Sequence, residues 1–241
     1  MLGFIACHFV ILNTMPKQPL STHQKRLFWF GILSLAIWVI PETRPVLYPL
    51  IYLNTHLHEL CHALSAWATG GTPLRIEVYA SGSGITPVRG GNILIVASAG
   101  YVGAAVIGGL LLFASGNGKN ARTALYSLGF FLSFSLLFLV RGDSIGLLSA
   151  FLWIVTLLFI ARKGKQEHQQ NLVAFLGMQQ CFTSSYSLLI LQKLTVANDL
   201  QNDAGIMQEM TRIPALFWAI SWSIIGLAAM WIGLRQSARS K

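Results

Sequence analysis

The chain has 241 residues, of which 54% are hydrophobic and 10% charged, and its mean hydropathy is +0.60; an ordinary soluble domain, with about a quarter of its residues charged, is excluded. The composition is that of an integral, multi-pass membrane protein. A net charge of +9 would suit nucleic acid, but the Lys and Arg residues fall in short connections between apolar runs, so the charge is read as membrane topology and no nucleic-acid partner is expected.

Residues 1–26 read as an N-terminal cytoplasmic or peripheral segment. The first fifteen are apolar without the basic n-region of a signal peptide, and Met15 is an alternative start. A helix needs about 20 mostly apolar residues to cross a bilayer, and runs of that kind occupy residues 27–40, 45–70, 92–113, 123–140, 144–161, 172–194 and 213–234. The first is short, and the sixth carries Gln179, Gln180, Thr183, Ser184, Ser185 and Ser187. The expected fold is therefore an all-α polytopic membrane protein with six or seven transmembrane helices. No internal repeat or long polar linker divides residues 27–234, which read as one domain, followed by a basic tail at 235–241. Lys17, Lys25 and Arg26 argue for a cytoplasmic N-terminus, and Arg235, Arg239 and Lys241 argue the same for the C-terminus. Seven crossings cannot satisfy both.

One stretch breaks the helical texture. In "GTPLRIEVYASGSGITPVRGG", residues 71–91, apolar residues alternate through Leu74, Ile76 and Val78 before a Gly/Ser turn, the pattern of a β-hairpin. An open strand edge cannot face lipid, so the hairpin must lie at the membrane surface or line a cavity. The following "SAGYVGAAVIGG" places Gly100, Gly103, Ala104, Gly108 and Gly109 at helical spacing, a face that lets helices approach closely. Cys7, Cys61 and Cys181 are scattered and odd in number, so no disulfide framework is implied.

The chemistry lies in "NTHLHELCHALSAWATGG", residues 54–71. His58 and His62 are four apart, so on a helix both imidazoles share one face and reach a single metal ion, while Glu59, about 100° round, can hold a water bound to that ion. This is the arrangement of a zinc hydrolase: zinc brings the pKa of its water to about 7 and the glutamate takes the proton. Ionisable groups inside an apolar span are costly and mark function. His56 points nearly opposite to His58 and reads as a packing residue, and Cys61 as an inert buried thiol. A catalytic zinc takes three protein ligands and keeps one position open. Among the acids, Asp143 in "VRGDS" reads as a loop ion pair or helix cap. Asp203, whose partners Met207 and Met210 at i+4 and i+7 suggest an inward helical face, is the first choice for the third ligand, with Asp199 the alternative. Asn54, Gln179 and Gln180 could serve as oxyanion donors or as helix contacts.

Taken together, "HELCHALSAWATGG", the hairpin with "GSGIT" and "RGG", "SAGYVGAAVIGG" and "NDAGIMQEMTRIPALFW" resemble the site-2 protease superfamily of intramembrane zinc metalloproteases, in its divergent B-type branch. The similarity runs from about Tyr48 to Trp222, although better-known branches carry Asn-Pro and Leu-Asp-Gly where this chain has Asn-Asp-Ala. The resemblance implies His58, His62 and Asp203 as zinc ligands, Glu59 as the catalytic base, and a membrane-associated hairpin. It further implies hydrolysis of peptide bonds in membrane-bound protein substrates during regulated proteolysis, with the lipid bilayer and a regulatory membrane protein as further partners. The rival readings are a non-catalytic zinc-binding membrane adaptor and a metal transporter.

Overall fold

The computed structural model describes residues 20–239. Cys7, Met15, Lys17 and Lys241, and most of the expected N-terminal segment, lie outside the described residues. Eight α-helices make up most of the described chain. Helix α1 (Thr22–Val39) starts at a capping box in which Ser21 and Gln24 bond each other's backbone amides. A short 3₁₀ turn (Pro41–Thr43) leads into α2 (Arg44–Ala68), which carries Pro49 in its interior. The Pro49 carbonyl accepts a hydrogen bond from the Trp153 indole at 2.8 Å. After the β segment come α3 (Ile93–Ser115), α4 (Gly118–Phe138) and α5 (Ser144–Lys163), capped by the side chains of Asn92, Asn117 and Asp143. The long α6 (Gln166–Val196), the short α7 (Asp203–Thr211) and α8 (Ala215–Arg239) complete the bundle.

Close approach organises the bundle around α3. Added Cβ atoms at Gly103, Gly108 and Gly109 would meet Cys61, Cys181 and the Ala229 backbone, on α2, α6 and α8 in turn. The glycine face anticipated from "SAGYVGAAVIGG" is thus shared out among three neighbours. Apolar side chains gain little by leaving lipid for protein, so such backbone contacts and interhelical hydrogen bonds hold the helices together.

Among the described residues, four helices are long and apolar enough to cross a membrane: α3, α4, α5 and α8. The expected count of six or seven crossings goes beyond these four. Helix α6 has 31 residues, ample length for a crossing, but its hydropathy is diluted by Gln179, Gln180, Thr183 and Ser184, all buried within the bundle.

The hairpin consists of two antiparallel pairs in line. β1 (Thr72–Pro73) pairs with β4 (Val88–Arg89), and β2 (Glu77–Val78) with β3 (Gly84–Ile85). Gly82 turns the chain at a φ of 85°, a conformation that favours glycine. One edge is covered by the α4–α5 connection: the Ile76 amide donates to Leu139 O, and the Arg141 amide to Ile76 O, both at 2.9 Å. Ile76 and Val78 are buried against Leu60, Ala63, Leu139 and Val140. Leu74 is exposed, contrary to the simple alternation, because the covering segment meets the hairpin at Ile76 and not before it.

The two ends of the bundle differ in charge. The start of α1 and the finish of α8 meet, with His23 Nε2 2.7 Å from Ser237 Oγ and the Gln24 side-chain amide donating to Ala238 O. The α3–α4 and α5–α6 junctions join them: Ser115 Oγ lies 3.1 Å from Ser237 Oγ, and Gln170 donates to Ser115 O. This end collects Lys25 and Arg26, Lys119 and Arg122, the Arg162–Lys165 run, and Arg235 with Arg239, against the single acid Glu167, which stands 3.8 Å from Arg26. The described start and finish of the chain are therefore on one side, which removes the conflict posed by seven crossings. The hairpin lies at the other end of α4, where acids and bases balance. Cysteines introduced as Ser81→Cys and Lys165→Cys should react with a membrane-impermeant maleimide from opposite sides, Lys165→Cys from the cytoplasm. Labelling of both from one side would contradict the arrangement.

Candidate metal centre

Helix α2 presents Asn54, His58 and His62 on one stripe, four residues apart, with Glu59 beside them. The two imidazole Nε2 atoms are 3.0 Å apart. Asp203 Oδ2 stands 3.4 Å from His58 Nε2 and 3.3 Å from His62 Nε2. Four donors bound tetrahedrally at about 2.0–2.1 Å from zinc are separated by about 3.3 Å, so these three separations have the size of the edges of such a site. The tautomer agrees: His62 Nδ1 donates to Val96 O at 2.6 Å, which leaves Nε2 with its lone pair directed at His58 and Asp203. Among the described residues, His58, His62 and Asp203 are the group with metal-ligating geometry. Two nitrogens and one carboxylate oxygen are a donor set that would suit zinc.

Asp203 reaches the histidines through local structure the sequence only hinted at. The connection after α6 turns at Asn198, whose φ is 61°. Asn202 then caps α7 by accepting from the Gly205 amide at 3.0 Å. A side chain at Gly205 would strike the Leu200 backbone, so glycine permits the tight turn. Ala204 and Met207 are buried against Ala97, Leu188 and Leu191, pinning the first turn of α7 to the bundle with Asp203 at its start. Met210, expected on the same inward face, is exposed; nine residues of helix supply one packed turn and no more. Asp199 stays in the connection, accepting from the Gln201 amide, and Asp143 caps α5 and accepts from the Ala80 amide.

The hairpin holds Glu59. Its carboxylate Oε2 accepts from the Thr86 hydroxyl at 2.7 Å. Gly84 comes so close to Oε1 that an added Cβ would lie 2.7 Å away. Neither residue was assigned a role from the sequence, where "GSGIT" read only as a turn and strand. Gly100 of α3 is another residue the sequence undervalued, because a Cβ there would run into the Nε2 atoms of both histidines. Its neighbour Tyr101 packs edge-on against the His58 ring at 4.6 Å and stacks on Trp222 at 5.6 Å.

The remaining sequence candidates are engaged elsewhere. His56 turns to α5, with Nε2 3.1 Å from Gly146 O and 3.0 Å from Ser149 Oγ. Cys61 is a free thiol lying on Gly103. Gln180 donates to Asn54 Oδ1 at 2.9 Å, as does Ser184 at 3.1 Å, and Gln179 donates to Ser34. Both glutamines are thus helix contacts, and Asn54 is drawn toward α6.

A multi-pass membrane protein with histidines, an aspartate and a hydrogen-bonded glutamate gathered within its bundle belongs among the intramembrane metallopeptidases. The Peptidase M50B-like family model matches residues 29–233, and the chain belongs to that family, a site-2 protease family. No curated protein and no solved structure matches the chain.

Because α3 can lie on the imidazoles only while position 100 lacks a side chain, Gly100→Ala should lower metal affinity at least about 10-fold, the range of substitutions beside metal ligands. Gly31→Ala, where the new methyl makes ordinary contact with Met178, should leave it unchanged. Metal content of the purified variants reads the difference.

Proposed function

We propose that the protein is a zinc-dependent metalloendopeptidase that hydrolyses peptide bonds of membrane-bound proteins within the bilayer, as a step of regulated proteolysis. The observation that carries this reading is the convergence of the His58, His62 and Asp203 lone-pair atoms beside a buried glutamate that is not one of them. A purely structural zinc site has no use for that glutamate. Zinc would be held by His58 Nε2, His62 Nε2 and Asp203 Oδ2, and would supply an acidified water and a Lewis acid for the carbonyl oxygen.

The chain's own residues do the rest. Glu59 takes the proton of the attacking water and returns it to the leaving amine. Thr86 holds the carboxylate by one oxygen and leaves the other for that exchange. Val96 fixes the His62 ring. Substrate must be extended, since a helix hides its scissile carbonyl in backbone hydrogen bonds. Among the described residues strand β3 pairs only with β2, so its other edge can take up an extended segment by β-augmentation, and Gly84 of that strand lies on Glu59. Control of entry would fall to a partner membrane protein, since the connections between helices are too short to hold a filtering domain.

Two measurements test this. Glu59→Gln should abolish cleavage of a membrane reporter while retaining stoichiometric zinc, because Glu59 acts on the water and binds no metal; undiminished cleavage would remove its role. Asp203→Asn should weaken zinc binding about 10-fold or more by removing an anionic oxygen, whereas Asp199→Asn should be nearly silent. Equal zinc affinity in the two Asn variants would refute the ligand assignment.

A further inference from the structure

We infer that Tyr101 is a catalytic residue whose phenol hydrogen-bonds the scissile carbonyl oxygen as that oxygen becomes an anion; the inference rests on the metallopeptidase reading above. Peptide hydrolysis is speeded by such a donor, acting beside the Lewis acid at the same oxygen. Water's oxygen bonds to the carbonyl carbon, its proton passes to Glu59, and the carbonyl π pair moves onto oxygen. Collapse breaks the C–N bond and sends the proton from Glu59 to the amine. The oxygen that carries the charge in between is stabilised by a preplaced donor.

The other polar groups around the site are committed. The Thr86 hydroxyl donates to Glu59, and His62 Nδ1 to Val96. His56 faces α5, and Gln179 and Gln180 bond neighbouring helices. Asn54 has N–H groups to give, but two bonds to its Oδ1 draw the amide toward α6. Tyr101 is different. Its ring touches a ligand histidine nearly perpendicularly, at 87°, and is clamped from behind by Trp222 stacked at 13°. Tyr101 is half-buried, and its hydroxyl has no hydrogen-bond partner among the described residues, so the O–H is open to an incoming group. A phenol held rigidly against the ligand set with its proton unspent is suited to a partner that arrives with the substrate.

The test separates the hydroxyl from the ring. Tyr101→Phe keeps the packing against His58 and Trp222 and removes only the O–H. It should lower kcat by about 10²- to 10³-fold, the usual cost of one oxyanion donor, with KM and zinc content unchanged. Affinity for a phosphinic peptide, whose tetrahedral anion mimics the charged intermediate, should fall in parallel in a calorimetric titration of the zinc-loaded protein. Tyr101→Ala should in addition loosen His58 and lose zinc. A Phe variant with wild-type kcat and wild-type phosphinate affinity would overturn the inference, and zinc loss confined to the Ala variant would then reduce Tyr101 to a packing residue. Glu59→Gln run alongside distinguishes the two levels. If it is inactive while Tyr101→Phe is not, only the tyrosine assignment fails; if it is fully active, the peptidase reading fails and takes the tyrosine assignment with it.

Discussion

The polar side chains that α2 carries into the apolar interior are answered by several different elements. Asn54 is met by α6, His56 by α5, Glu59 by the hairpin, His62 by α3, and the His58–His62 pair by α7. In a bilayer no water is at hand to satisfy such groups, and a single ionised residue at a helix centre costs about 2.5–3.5 kcal/mol even on the milder scales. The arrangement of the bundle can be read as the solution to that problem. Each partner is a backbone carbonyl, a hydroxyl, an amide or a carboxylate brought by an element that must therefore pack against α2, directly or through its neighbours.

Two devices make the packing close enough. On α3, glycines stand where the backbone closely meets a neighbour: the imidazoles of His58 and His62 at Gly100, the thiol of Cys61 at Gly103 and the backbone of α8 at Gly109. The hairpin contributes the second device. Its short strands would be unstable alone, but the α4–α5 connection covers one edge, while Tyr52 and Thr55 of α2 donate to the carbonyls of Ala80 and Gly82 at its tip. Thus anchored, it delivers Thr86 and Gly84 to Glu59. A structure that looks like an insertion between helices is the part that orients the carboxylate.

Much of this was legible along the chain. The apolar runs correspond to the helices, because a bilayer demands long, uncharged segments and the periodicity of length is printed directly in composition. His58, Glu59 and His62 were legible because their geometry is local: four residues on a helix bring two rings to one face whatever the rest of the protein does. The hairpin was visible through its alternation and its Gly/Ser turn, although alternation alone placed Leu74 inside. The sequence also suggested Asp203, partly through a helical face on which Met210 proved to be exposed.

What only the tertiary structure decided is everything that depends on distant segments meeting. That Asp203, rather than Asp199 or Asp143, stands beside the histidines follows from the turn at Asn198, the glycine contact with Leu200 and the docking of Met207, none of which has a one-dimensional signature. Thr86, Gly100 and Tyr101 belong to the same class: an ordinary threonine, one glycine among many and a tyrosine in an apolar helix acquire meaning only by what they touch. The sequence by itself determined the membrane class, the helices and the placing of His58, Glu59 and His62 together, since these rest on hydropathy and on the 3.6-residue turn. The approach of Asp203 to the two histidines, the orientation of Glu59 and the shared side of the described chain ends were set by packing, where polar groups with no water to turn to find partners far away in the chain.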